Sequence, residues 1–235
     1  MDTRQPRLSR RLATAARWPP GIALTSWRYM WRTTPMRRSE EPGSAEADSP
    51  PAMPDRVSRE ELQSPEDGAG PLFHRRYRAR IADPRVGPEE LITELTSDLN
   101  QASPSEFARF EKVRGREDAL EVGDELVVRM PGPWDGPVRV LRVTPTSFRL
   151  GTLRGHLEAG QIEFSASNEA GLVFTIESWA RSGDRLANLL FERLRMAKEV
   201  QLHMWTSFLE RVIDLSGGRR TGRIEIRTRR VTDGS

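Results

Sequence analysis

Residues Leu186 to Leu215 constrain this chain more than any other stretch. Apolar residues recur there at Leu186, Leu190, Leu194, Ala197, Met204, Phe208, Val212 and Leu215, close to helical spacing, with Arg, Lys and Glu between them. No proline interrupts the run, and Gly217-Gly218 supplies a stop. The pattern predicts one long helix with a single buried face. At about 1.5 Å per residue it would reach roughly 45 Å, enough to span a sheet that closes over it.

The stretch before it supplies such a sheet. Phe73, Arg75, Tyr77, Ala79 and Ile81 alternate with Arg76, Arg78 and Arg80, which predicts a first strand ending at Asp83-Pro84. Pro88 then opens a helix whose buried face is Leu91, Ile92, Leu95 and Leu99. Ser103-Pro104-Ser105-Glu106 repeats the start signal and predicts a second short helix carrying Phe107 and Phe110. Strands follow around Leu126–Met130, Val138–Val143, Phe148–Thr152, Ile162–Phe164 and Leu172–Ile176, the last two joined by a hairpin loop at Asn168–Gly171. Strand, two helices, sequential strands and a long helix define an α+β fold, with the helix covering one face of an antiparallel sheet.

The two ends of the chain differ from this middle. The net charge of +3 hides an excess of eight positive charges in residues 1–38 and of seven negative charges in residues 39–70. Residues 1–38 interleave arginines with Trp18, Trp27, Tyr29 and Trp31, a mixture suited to an anionic membrane surface and less so to nucleic acid. Simple packing of Leu24, Trp27 and Trp31 on the domain explains it as well. The apolar part, Gly21 to Met30, is too short to span a bilayer and lacks the form of a secretory signal; a transit peptide is a minor option. Residues 39–70, with five prolines and almost no large apolar side chains, read as an acidic disordered linker. Residues 71–216 are then the folded domain. Residues 217–235, with six arginines, read as a basic flexible tail, with an edge strand through Ile224 and Ile226 as the alternative. Without cysteine, and with only His74, His156 and His203, no metal or other cofactor is expected, and a reducing, cytoplasmic setting fits, with peripheral membrane contact through the N-terminal segment.

The run TLRGHLEAGQIEF from Thr152 to Phe164, with LVFTIESWARSGD from Leu172 to Asp184 and the helix carrying Gln201, resembles the uncharacterised family DUF1990 (UPF0548). Gly155, His156, Glu158 and Gly160 carry most of that resemblance, and Gly183 departs from it where many members have proline. The resemblance implies a helix-grip fold related to START, Bet v 1 and polyketide cyclase-like domains, and it brings no catalytic residues.

Three functions follow as expectations. The first is binding of an apolar or amphipathic small molecule between sheet and helix, by Gln201, His156, Phe164, Phe174 and Met204. Gln201 interrupts the helix's apolar stripe, so its amide requires a partner, either a strand backbone or a ligand. The second is cyclase- or hydrolase-like acid–base chemistry by His156 and Glu158, whose simpler roles are a strand-end cap and an ion pair with Arg154 or Arg181. The third is an interaction module acting through the basic termini. Glu163 and Glu177 fall on the opposite parity from Phe164 and Phe174, which places them on a solvated outer face, and His203 reads as a surface residue.

Overall fold

The structure, a computed structural model, describes residues 34–105, 108–116, 118–130, 135–183 and 195–231, with side chains of the last span from residue 201. Nine strands and two α-helices form there: β1 (Met36–Pro42), β2 (Ala69–Ala82), α1 (Pro88–Ser97), β3 (Arg109–Arg114), β4 (Glu125–Arg129), β5 (Asp135–Thr144), β6 (Ser147–Thr152), β7 (Glu158–Asn168), β8 (Leu172–Ser182), α2 (Arg195–Leu215) and β9 (Arg219–Val231). One sheet holds all nine, in the order β1-β9-β2-β8-β7-β6-β5-β4-β3. Its pairs are antiparallel except β1 with β9, which is parallel. Within the predicted long helix, residues 186–194 lie outside the described residues, as do residues 1–33 of the Arg/Trp segment.

Alternation decides which side chains meet α2. Register places Val143, Phe148, Phe164, Ile176, Tyr77 and Ile226 in one row across six strands, all on the helix side. Phe148 stacks on Phe164 at 4.7 Å, while Phe208 and Trp205 of α2 approach Phe164 at 5.4 and 5.6 Å. Leu91, Ile92 and Leu95 of α1 close the same core, as their spacing predicts.

Three sequence expectations are corrected. Phe110 lies on β3, not on a second helix. Ser103 Oγ donates to the Ala108 carbonyl at 2.7 Å, and the Asn100 side chain brackets Phe110, donating to its carbonyl at 2.9 Å and accepting from its N–H at 2.8 Å. From Arg109 onward pairing with β4 wins, while Phe107 lies outside the described residues.

The C-terminal arginines do not form a free tail. Ile224 and Ile226 are buried on the helix side of β9, and on the other face Arg227 donates to Glu41 of β1 at 2.6 Å. Two isoleucines at strand spacing suffice because both edges of β9 find backbone partners.

Residues 43–64 are not a disordered linker either. They cross the outer face of the sheet as a strap, held mainly by side chains donating to its carbonyls. Gln161 donates to Pro51 at 3.0 Å, Arg139 to Ser58 and Glu60 at 2.8 Å each, and Thr152 Oγ to Gln63 at 2.8 Å. Low apolar content therefore did not forbid order, since the polar groups of the folded sheet satisfy the strap's backbone. The outer face is consequently covered rather than solvated. Glu163 meets Arg149 there at 2.7 Å.

A charged clamp fixes the strap's start. Asp48, fully buried, accepts from the Ser44 amide at 2.8 Å, from Arg229 at 3.2 Å and from His74 Nδ1 at 2.7 Å. His74 Nε2 reaches Glu177 at 2.7 Å, Arg76 donates to the same carboxylate at 2.9 Å, and Trp179 stacks on the imidazole at 5.1 Å. Burial alone would lower the pKa of His74, but hydrogen bonds and charge from Glu177 and Asp48 raise it above the ordinary 6.5. Burial would likewise raise both carboxyls, yet their bonds to His74, with those from Ser44 and Arg229 or from Arg76, hold them below their ordinary values of 3.8 and 4.5.

The histidine's contribution is thus complete below 6.5 and lost as pH rises through its raised value; the carboxylates' is complete above 4.5 and lost as pH falls through their lowered values. Hydrogen-exchange protection of the Ser44 and Asp48 amides, corrected for intrinsic rate, is expected to peak between 4.5 and 6.5 and to fall on the alkaline side first at the raised histidine value. A profile with no alkaline decline would remove His74 from the clamp.

Candidate functional site

One register row beyond the apolar one, the same strands change character. Val140, Leu150 and Ile162 continue it, but β8, β2 and β9 then contribute Ser178, Arg75 and Thr228. Arg75 is only 7 % exposed. Its guanidinium lies 4.6 Å from the Phe73 ring centroid and 3.7 Å from Glu158 Oε1, and among the described residues its side chain makes no hydrogen bond. A largely buried residue with five donors in that state offers them to an acceptor other than the described side chains.

Gln201 of α2 completes the cluster. Its Nε2 donates to the two Glu158 oxygens at 3.3 and 3.2 Å, so its partner is a carboxylate rather than a strand backbone. Trp205 lies one turn along the same helix face. Trp205 Nε1 and Ser178 Oγ are both buried and, among the described residues, without a hydrogen-bond partner. A polar corner therefore forms where β2, β7 and β8 face α2, beside an aromatic core.

His156 and Glu158 are not a joined pair. The imidazole Nδ1 lies 2.9 Å from the Glu158 amide nitrogen and 3.1 Å from the Glu158 carbonyl oxygen, so the ring locks the β6–β7 turn through the backbone of Glu158. Burial lowers the pKa of His156 despite the nearby Glu158 charge, so the ring is held neutral. The ring sits over Gly136 of β5, where a Cβ would come within 2.9 Å of Nε2. Glu158 instead leans toward β2 and α2.

The remaining expected contacts separate by depth. Phe164 and Phe174 are fully buried in the core, whereas Met204 is partly buried against it. His203 is buried, contrary to the surface position expected for it. Arg75 escaped attention although its signal was present: it shares the strand parity of Tyr77, Ala79 and Ile81, where a charged side chain must enter the helix-facing layer. Among the described residues no group of three His, Asp or Glu side chains is arranged to hold a metal ion.

Two glycines of the sequence motif have physical reasons. A Cβ at Gly160 would overlap the Trp179 carbonyl oxygen across the β7–β8 ladder. At Gly183 a Cβ would lie 2.5 Å from Gln63 Nε2 and 2.6 Å from the His156 oxygen, and its N–H donates to Leu157 at 2.7 Å, a bond that proline would forfeit. The departure at Gly183 is therefore built into this chain's own turn.

A mostly antiparallel sheet gripping a C-terminal helix, with a polar corner facing that helix, defines an α+β protein of the helix-grip class. Residues 60–210 match the family model described as "Domain of unknown function (DUF1990)". The chain belongs to that family. No curated protein matches it in sequence.

Solved structures give weaker likenesses. The di-domain ARO/CYC StfQ of the steffimycin biosynthetic pathway is 11 % identical with a TM-score of 0.45, covering 65 % of this chain and 52 % of its own. Ginseng major latex-like protein 151 from Panax ginseng is 11 % identical with a TM-score of 0.44, covering 63 % and 99 %. Hypothetical protein jhp0584 from Helicobacter pylori is 9 % identical with a TM-score of 0.43, covering 70 % and 95 %.

Proposed function

We propose that this protein binds an apolar or amphipathic small molecule between its sheet and α2, with the polar corner receiving the ligand's head. The supporting observation is Arg75, a largely buried arginine whose guanidinium makes no hydrogen bond among the described residues, beside Glu158, Gln201 and Ser178 Oγ, which likewise has no partner among them. Arg75 and Gln201 donate to an oxygen of the ligand, Glu158 accepts from a hydroxyl or amine, and Met204 and Ile162, each partly buried, meet the apolar body. Phe164 and Phe174 support this wall from within the core, and His156 holds the turn that carries Glu158.

The test is native mass spectrometry of the full chain purified from its own host, with identification of any released molecule. A stoichiometric ligand is expected, depleted about tenfold or more in Arg75→Met, since losing a charge-assisted hydrogen bond weakens binding on that order. The substitution removes a largely buried charge at similar volume, which proteins tolerate, so circular dichroism should stay unchanged. Gln201→Leu should reduce occupancy in the same way. Repeated recovery of an empty protein, or equal occupancy in both variants, would sink this reading.

The acid–base alternative rests on a neutral His156 and on Glu158, both near the helix-facing side of the sheet. It requires turnover of the bound molecule that Glu158→Gln abolishes while binding persists. The interaction-module alternative rests on the cationic N-terminal segment. No helix of the described residues is long and apolar enough to cross a membrane.

A further inference from the structure

We infer a second, independent binding site on the opposite face of the sheet: a cleft under the strap that takes a small anion carried on an apolar body. The cleft measures about 620 Å³ and lies between the Pro51–Arg56 part of the strap and Arg149 with the bulged Leu141–Val143 stretch of β5, where Val143 turns its side chain to the helix side, with Val122 at its rim. That volume is within the range of small-molecule sites. It does not depend on the corner between sheet and α2.

Charge and apolar surface coincide there. Arg149 is already met by Glu163 at 2.7 Å. Arg56, Arg142 and Asp55 are exposed and form no ion pair or side-chain hydrogen bond among the described residues, so one net positive charge faces the cleft. Two guanidinium groups that share one nearby carboxylate, Asp55, and are ion-paired to none are suited to a sulfonate, carboxylate or phosphate. Val122, 49 % exposed, is the only large apolar side chain among the described residues left this far in solvent. With Pro51, Pro54 and Leu141 it gives a ring system an apolar surface to lie on.

Both walls are held in place before any ligand arrives. Gln161 fixes the strap at Pro51, and Arg139 fixes it at Ser58 and Glu60. Leu141 is tightly seated, its Cδ1 lying 2.9 Å from where a Cβ would stand on Gly151. Binding therefore requires little ordering of the strap.

The experiment is an amide NMR titration of the full chain with naphthalene-2-sulfonate, using naphthalene-2-sulfonamide as the uncharged comparison. Saturable shifts are expected at Ala52, Asp55, Arg56, Val122 and Arg142. Affinity should fall about tenfold or more for the sulfonamide and for the double variant Arg56→Ala/Arg142→Ala. Neither arginine supports the fold, so the variant's spectrum should otherwise match. The proposal is overturned by absent saturable shifts at millimolar probe, by shifts confined to residues such as Ser178 and Gln201, or by equal affinity of the sulfonamide or the double variant.

Discussion

Replacing Phe164 with alanine is expected to lower the unfolding free energy by about 3–5 kcal/mol, the cost usual for truncating a fully buried aromatic side chain. The ring has no exposed surface, stacks on Phe148 at 4.7 Å and is met by Trp205 and Phe208 of α2 at 5.6 and 5.4 Å. It is therefore the residue through which the central strands and the gripped helix share one core. Its neighbours are themselves large and fixed by register, so they cannot collapse into the space it leaves. Urea unfolding should show a lower midpoint with an unchanged slope. A loss below about 1 kcal/mol would mean that the core relaxes around the void and that the helix is held elsewhere.

Replacing Asp48 with alanine should release the strap while leaving the sheet folded. The carboxylate accepts three charge-assisted or backbone hydrogen bonds, and its removal leaves His74 and Arg229 facing each other without it. Losing hydrogen bonds of this kind costs about 1.5–3 kcal/mol. Trypsin reports the effect directly, because Arg56 and Arg59 are the only basic residues in the strap. Cleavage there tracks the open population and should accelerate roughly tenfold or more. Unchanged cleavage would show that Gln161 and Arg139 hold the strap without the clamp.

Much of the sheet was legible because its central strands carry one apolar and one polar face, so Tyr77, Phe164 and Phe174 announce their own orientation. What escaped notice is held by contacts remote in sequence. β1 has hardly an apolar side chain, and it is ordered by the backbone of β9, which begins 177 residues after β1 ends. The strap's order comes from Gln161, Arg139 and Thr152, none of which lies in the strap. Within the candidate site, Gln201 stood out because an amide in an apolar stripe needs a partner. His156 and Glu158 stood out by proximity in sequence, but strand geometry turns the imidazole over Gly136 and sends the carboxylate toward Arg75. Arg75 was hidden among the three other arginines of its strand, Arg76, Arg78 and Arg80, from which only parity separates it.

The position of β9 also sets an order of assembly. Wedged between β1 and β2, it emerges from the ribosome after the other described strands, yet β1, made before them, has no other neighbour among the described strands. Until β9 arrives, β2 presents an open edge and β1 waits at the far end of its strap. The strap acts in that interval as a tether, keeping β1 close to the vacancy that the last strand will bridge. The clamp at Asp48, which needs Arg229 from that strand, can close fully only once synthesis has reached it, so closure of the strap records completion of the sheet.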